Sequence, residues 1–176
     1  LLLAALSFWI DQSVQLASNG GEAAKTEPEG IMENFEALRT DAAGRPHYRL
    51  NARKLKHYTG SKLTELESPH FVQLDAEAGE VSATAQQATV SADGNEVNLL
   101  GDVIVERAAR PGQSAMSLRT ARLTVFPEQD RLQAPGAVDV RDDTLTLRAG
   151  AMEYDAKQRV IKLTGRVKAH YISGRT

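Results

Sequence analysis

The chain has 176 residues, of which 41% are hydrophobic and 25% are charged, so it has enough apolar material for the core of one domain. Its formal net charge of −2 leaves no excess of cations to neutralise a phosphate backbone, which argues against nucleic acid as a partner. Cysteine is absent, and this excludes disulfides, thiolate metal sites and thiol nucleophiles.

The chain opens on LLLAALSFWI, a stretch that is uncharged and nearly all apolar. As a helix it would rise about 15 Å, half of the ~30 Å hydrocarbon thickness of a bilayer. We interpret residues 1–11 as the C-terminal part of a transmembrane helix, with aromatic rings at the interface and Asp11 at the exit into water. A signal-peptide core and a buried helix end are the alternatives. The predicted membrane residues are Leu1, Leu2, Leu3, Leu6, Phe8, Trp9 and Ile10.

Residues 12–30 are polar and small, with Gly20, Gly21 and Pro28 among them, and such a composition cannot bury enough surface to fold. We predict that this segment is a flexible tether. From residue 31 the sequence changes to short runs of Val, Leu and Thr that turn-forming residues interrupt, which is typical of antiparallel strands. The sequence therefore predicts one β-domain over residues 31–172, followed by a tail at 173–176.

Tight turns separate successive β-forming runs at 41–44, 93–95, 128–130 and 155–157. Each turn contains a residue that adopts positive φ easily or bonds its own backbone, so each turn predicts a β-hairpin. The runs that these turns join are Glu33–Thr40 with Pro46–Leu55, Ala83–Val90 with Val97–Leu100, Leu118–Phe126 with Leu132–Ala134, and Leu145–Tyr154 with Val160–Leu163.

An internal repeat indicates the architecture. Segments that begin at Thr84, Thr120 and Arg148 align with little gapping, and each has an alanine and a later glycine at matching places. A repeated hairpin predicts stacked strands that bury a continuous face only when several copies are present, and the glycine permits a bend. We therefore predict an all-β fold, a twisted antiparallel β-jellyroll with two facing sheets. The matching pairs are Ala85 and Gly101, Ala121 and Gly136, and Ala149 and Gly165.

Apolar residues alternate with polar ones along the predicted strands, so the apolar side chains share one face of each sheet. Two such faces make either a closed core or a trough that holds hydrocarbon chains. A trough would bind lipid strongly, because burial is worth ~0.8 kcal/mol per methylene and a dozen carbons give on the order of 10 kcal/mol. The residues predicted from alternation to line this face are Tyr48, Leu50, Val97, Leu99, Val103, Val105, Leu123, Val125, Val138, Val140, Leu145, Leu147, Met152, Ile161 and Leu163.

Motifs of catalysis are missing: the sequence has no nucleophile elbow, Walker loop, dinucleotide fingerprint or zinc-protease helix. His47, His57, His70 and His170 lack ligand spacing, so we predict no metal site, no cofactor and no enzymatic activity.

Charge is segregated in one part of the chain. Residues 45–62 contain bases and no acid, whereas residues 63–80 contain acids and no base. This segregation either steers an anionic head group towards the basic segment or reflects pairing between neighbouring strands.

Four stretches together resemble the LptC family of lipopolysaccharide export proteins. They are PEGIMENFEALRTDAAGRPHYRLNARKLKHY at Pro28–Tyr58, ELESPHF at Glu65–Phe71, LLGDV at Leu99–Val103 and LTGRV at Leu163–Val167. The resemblance implies a jellyroll, open along one edge, that accepts lipopolysaccharide from an inner-membrane ABC transporter and passes it to the periplasmic bridge protein LptA. It also implies a single-pass protein whose helix packs on the transporter's membrane subunits and modulates its ATPase.

The resemblance implies site residues as well. Phe35, Leu66 and Ile161 correspond to lipid-facing residues of the family, and Gly136 to a family glycine that we group with partner docking. The last strand, with Val167, Ala169 and Tyr171, corresponds to the edge that docks on LptA, while the N-terminal edge stacks on a transporter β-domain. The alternative function is a membrane-tethered structural adaptor that bridges protein partners without holding lipid.

Overall fold

The computed structural model describes residues 27–40, 43–75, 79–126, 129, 131–155, 157–158 and 160–172. The predicted membrane segment, most of the predicted tether and the predicted tail lie outside these residues. In the described part, no helix has the length and apolar character that a bilayer span needs. The strands are β1 Gly30–Thr40, β2 Pro46–Tyr58, β3 Leu63–Glu67, β4 His70–Asp75, β5 Gly79–Thr84, β6 Gln87–Val90, β7 Val97–Arg107, β8 Met116–Phe126, β9 Arg131–Ala134, β10 Val138–Arg141, β11 Leu145–Ala149, β12 Ala151–Asp155, β13 Val160–Thr164 and β14 Lys168–Tyr171.

All of these strands belong to one antiparallel sheet, which is folded into two halves. The long strands β2, β7 and β8 change partner halfway along and so belong to both halves. The first half-sheet adds β4, β5, β10, β11 and β14 to them. The second half-sheet adds β3, β6, β9, β12 and β13. The predicted all-β jellyroll is thus confirmed in outline, and its two facing sheets are halves of one sheet.

A line of backbone irregularities, which we call the crease, separates the two halves. Gly101 and Asp102 both have positive φ, at 76° and 45°, and the register between β7 and β8 shifts there. Gly165 and Arg166 have φ of 71° and 46° and divide β13 from β14. Positive φ is easy for glycine and costs other residues about 1–2 kcal/mol, so Gly101 and Gly165 of the repeat mark where the sheet turns.

The four predicted hairpins are all present, as β1–β2, β6–β7, β8–β9 and β12–β13. Two predicted runs, however, are not single strands. Ala83–Val90 breaks after β5, and Leu145–Tyr154 breaks at Gly150, because both runs cross the crease and take new partners beyond it. At the second break the Gly150 amide donates to the carbonyl oxygens of Thr164 and Gly165, at 2.8 and 2.6 Å.

Buried apolar side chains fill the concave side of the folded sheet close to the crease. One cluster joins Val103 and Leu118 of the first half-sheet to Leu123 and Met152 of the second. A second cluster contains Leu50, Leu55, Leu66 and their neighbours near the N-terminal strands. Because side chains from both halves share a cluster, their apolar faces lie opposite each other, and burial of this apolar surface stabilises the fold.

The apolar inner face and the free edges

Cross-strand register aligns the apolar side chains in rows across the concave side, which we call the inner face. Residues that oppose each other in antiparallel strands point to the same face, so each row follows from the pairing alone. One row of the first half-sheet runs through Ala37, Leu50, Phe71, Ala83, Val105, Leu118, Val140, Leu147 and Ala169. A row of the second runs through Met32, Leu55, Leu66, Ala88, Leu99, Leu123, Ala134, Met152 and Leu163.

The residues predicted to face lipid all lie on this inner face. Phe35 opposes Ala52 there, and Tyr154 opposes Ile161 at the other end of the sheet. The structure thus shows that these residues lie on the inner face. Their contact with lipid stays a prediction.

Sequence reasoning missed several inner-face residues, and Leu55 shows why. The β1–β2 register passes from Glu33 opposite Lys54 to Phe35 opposite Ala52, with Asn34 at φ 51° between them. The register is unchanged, but the alternation changes phase here in both strands, so that Leu55 rather than Lys54 joins Leu50 on the inner face. The other missed residues include Phe71, Ala83, Ala88, Val90, Leu118, Leu132, Ala134 and Ala149, most of which follow the plain alternation of their strands.

Exposure of the inner face rises towards the C-terminal end of the sheet. Val103 is fully buried in the middle strands, and Leu147 on β11 is half-buried. Ile161 on β13 is 61% exposed and Tyr171 on β14 is 68% exposed. In the described part of the chain β13 and β14 pair with β12 and β11 and not with each other. The apolar face therefore continues from a packed centre to an open end.

Three strands have a free side within the described residues: β1 pairs only with β2, β13 only with β12, and β14 only with β11. The exposed large apolar residues of the described part all lie on or next to these strands. A row of unpaired N–H and C=O groups beside apolar surface is a template for a partner strand. These residues are Ile31 and Leu38 at the N-terminal edge, and Val160, Ile161, Val167, Tyr171 and Ile172 at the C-terminal edge.

The predicted docking residues divide into two groups. Val167, Ala169 and Tyr171 lie at the C-terminal edge, as expected of a docking strand. Gly136 lies instead between β9 and β10, two strands in from that edge, and a Cβ placed on it would meet nothing within 4 Å. Gly136 is therefore not on a free edge, and its role in docking stays a prediction.

Pairing between neighbouring strands accounts for part of the charge segregation. Glu67 on β3 lies 2.9 Å from Arg53 and 3.3 Å from Lys56 of β2. The hydrogen bond from Lys56, and to a smaller extent the one from Arg53, holds the pKa of Glu67 below its usual value. The Tyr58 hydroxyl donates to Glu65 at 3.0 Å. The pairing alternative is thus confirmed for β2 and β3.

These features define a class of protein: an antiparallel β-jellyroll with an apolar inner face and free sheet edges. Within the described residues, no three His, Asp or Glu side chains cluster as metal ligands would. Such an arrangement suits the binding of an apolar molecule and of partner strands.

Comparison with known proteins identifies the family. Residues 1–172 match the family described as "Lipopolysaccharide-assembly, LptC-related", and the chain belongs to that family. The resemblance found in the sequence is therefore confirmed, and the chain takes part in lipopolysaccharide transport. No curated protein sequence gives a significant match.

A solved structure is similar to this one. It is the crystal structure of LptH from Pseudomonas aeruginosa, the LptA-homologous periplasmic component of the lipopolysaccharide transport device. The TM-score is 0.59 at 13% identity, and the match covers 72% of this chain and 95% of that chain. At this identity the likeness shows a shared fold.

Proposed function

We propose that this chain carries lipopolysaccharide, with the acyl chains against its inner face, from an inner-membrane ABC transporter to a bridge protein of the LptA type. It acts as a binding module without chemistry of its own. It is a single-pass inner-membrane protein of a Gram-negative bacterium, with the β-domain in the periplasm and the helix modulating the transporter. Membership of the LptC-related family supports the substrate and the pathway.

The observation that carries the proposal is the continuity of the apolar inner face from the packed core to the C-terminal edge. A closed sandwich would bury this face along its whole length. Here Val105, Val140 and Leu147 are only half-buried, and Ile161 is exposed, although all four point to the inner side. Acyl chains laid on these residues would gain ~0.8 kcal/mol per methylene removed from water, enough to hold a lipid outside a bilayer.

The free edges support the proposed relay. A strand from the next jellyroll pairs with β14 and extends the inner face, so the lipid passes along apolar surface without crossing water. The N-terminal edge, β1, docks in the same way on a β-domain of the transporter.

Photo-crosslinking in cells tests the lipid site. A crosslinking amino acid is placed in the full chain at Ile161 or at Leu147, both on the inner face. The matched controls are Lys162 and Arg148, the next residues of the same strands, which point to the outer face and are exposed. We expect lipopolysaccharide adducts at the two inner positions and at neither outer one. Equal labelling of both faces, or no lipid adduct at either inner position, would refute the proposed site.

The second candidate is the structural adaptor, and the tight packing near the crease favours it. Val103 and Ala134 are fully buried, as in a filled core. The same crosslinkers separate the two candidates, because an adaptor gives protein adducts at Ile161 and no lipid adduct on the inner face.

A further inference from the structure

The outer face of the first half-sheet carries a basic cluster at its C-terminal end. Register places Arg119, Asp139, Arg148 and Lys168 in one row across β8, β10, β11 and β14. Arg141 lies on the same face, two residues after Asp139 on β10. All four cationic side chains are exposed, and Arg148 retains 64% of its side-chain surface. We call these four cations around Asp139 the basic face.

Asp139 does not neutralise the basic face. Its two carboxylate oxygens accept from Nε of Arg141 at 2.6 Å and from Nε of Arg148 at 2.8 Å. These two guanidinium groups lower the pKa of Asp139 to about 2, so the carboxylate is ionised and already engaged. Arg119 and Lys168 form no ion pair with any residue that the structure describes.

Like charges on the basic face destabilise the sheet when no partner is bound. Arg148 stands directly opposite Lys168 in the β11–β14 pair, and like charges in opposite positions destabilise two paired strands. In the β2–β3 pair, by contrast, opposite positions hold opposite charges, Lys54 with Glu67 and Lys56 with Glu65. An anionic side chain of a partner at the C-terminal edge would offset the repulsion between Arg148 and Lys168.

The backbone of β14 shows where such a partner would lie. The Ile172 amide donates to the Thr144 carbonyl oxygen at 2.7 Å, so residue 172 directs its N–H towards β11. Because N–H directions alternate along a strand, Ala169 and Tyr171 direct theirs to the free side. A strand paired there has alternate side chains beside Lys168 on the outer face and beside Tyr171 on the inner face.

We propose that the strand that docks on β14 carries Asp or Glu on its outer face, and that the basic face selects partners by this charge. The inference rests on the docking proposed above and adds the chemistry of the partner. A membrane surface fits less well, since it would cover only one face of the sheet and leave Val167 and Tyr171 exposed. The edge β1 of this chain itself exposes Glu33 and Glu36, so an N-terminal jellyroll edge is able to carry the complementary charge.

Binding measurements on the full chain in detergent test the proposal, with the LptA-type bridge protein of the same organism as the probe. The Lys168→Glu variant, and the double variant with Arg148→Glu, should bind about tenfold more weakly at low salt, and the difference should shrink as salt screens the charges. Lys168 makes no ion pair with any described residue. We therefore expect Lys168→Glu to fold even if the double variant does not. Arg49→Glu is the matched control, an exposed outer-face arginine on β2, and should bind as the parent chain does.

Ala169→Pro separates this inference from the docking itself. Proline there removes one of the two N–H groups that point to the free side and leaves the β11–β14 bonds intact, so the chain folds but pairs a strand much more weakly. Loss of binding in Ala169→Pro with no effect of Lys168→Glu overturns the charge selection and leaves the docking proposal standing. Full binding by Ala169→Pro overturns docking at β14, and with it this inference. Vesicles of phosphatidylglycerol provide the last arm: if charge reversal abolishes vesicle binding and spares the bridge protein, the partner is a membrane and the proposal is wrong.

Discussion

Gly101 and Gly136 hold matching places in the repeat, but the structure predicts different consequences of replacing each by alanine. Gly101 has φ +76°, and a Cβ on it would meet Gln86 Oε1, with Gln86 Cδ at 2.8 Å and Cβ at 3.0 Å. The Gln86 Cβ is held by the backbone, and to relieve the rest of the contact the side-chain end must give up its hydrogen bond from Nε2 to Asp102 at 2.5 Å. Gly136, in contrast, lies outside the left-handed region and has open space around it.

The magnitude of the Gly101→Ala effect follows from these contacts. Left-handed backbone costs a non-glycine residue about 1–2 kcal/mol, and relief of crowding against Gln86 costs about 1 kcal/mol more. The smaller entropy of the unfolded alanine chain offsets about 0.4–1 kcal/mol. We therefore expect Gly101→Ala to lower the free energy of unfolding by about 2 kcal/mol. Gly136→Ala should change it by less than about 0.5 kcal/mol or raise it slightly.

Urea unfolding of the full chain in detergent, followed by far-ultraviolet circular dichroism and linear extrapolation, measures both variants. Gly44→Ala serves as the control for backbone strain alone, because Gly44 has φ +78° and nothing within 4 Å of a Cβ. It should lose about 1 kcal/mol. The reasoning is refuted if Gly136→Ala destabilises the chain as much as Gly101→Ala does.

Two further predictions concern packing and charge. Leu55 is 2% exposed, so Leu55→Ala should cost about 2–5 kcal/mol in the same assay, whereas Leu38→Ala on the exposed β1 edge should cost less than about 0.5 kcal/mol. Equal costs would show that β2 does not turn Leu55 inward. Asp139 has its pKa lowered to about 2, so its ion pairs stabilise the fold fully above pH 4, and this contribution is lost as the pH falls through 2. Asp139→Asn should therefore cost up to about 1 kcal/mol at pH 7 and progressively less as the pH falls from 4 through 2, and a deficit that is constant with pH would contradict this assignment.

Much of the fold could be predicted from the sequence, because strands and hairpins depend on local patterns. Turn residues at 93–95 and 155–157 correctly located the hairpins that follow β6 and β12. The alternation of Val97, Leu99, Val103 and Val105 correctly assigned one face, since that pattern has a period of two along a single strand.

Other features were decided only by the tertiary structure. Strand partners beyond the hairpins, such as β4 and β3 on successive halves of β2, depend on a register between distant segments that no local pattern encodes. The basic face is of the same kind, because its row draws on β8, β10, β11 and β14, and its charges look scattered along the chain. The sequence by itself therefore determined which face of each strand is apolar. Folding along the crease decided which of them are packed, which remain open at the C-terminal edge, and which cations meet on the outer face.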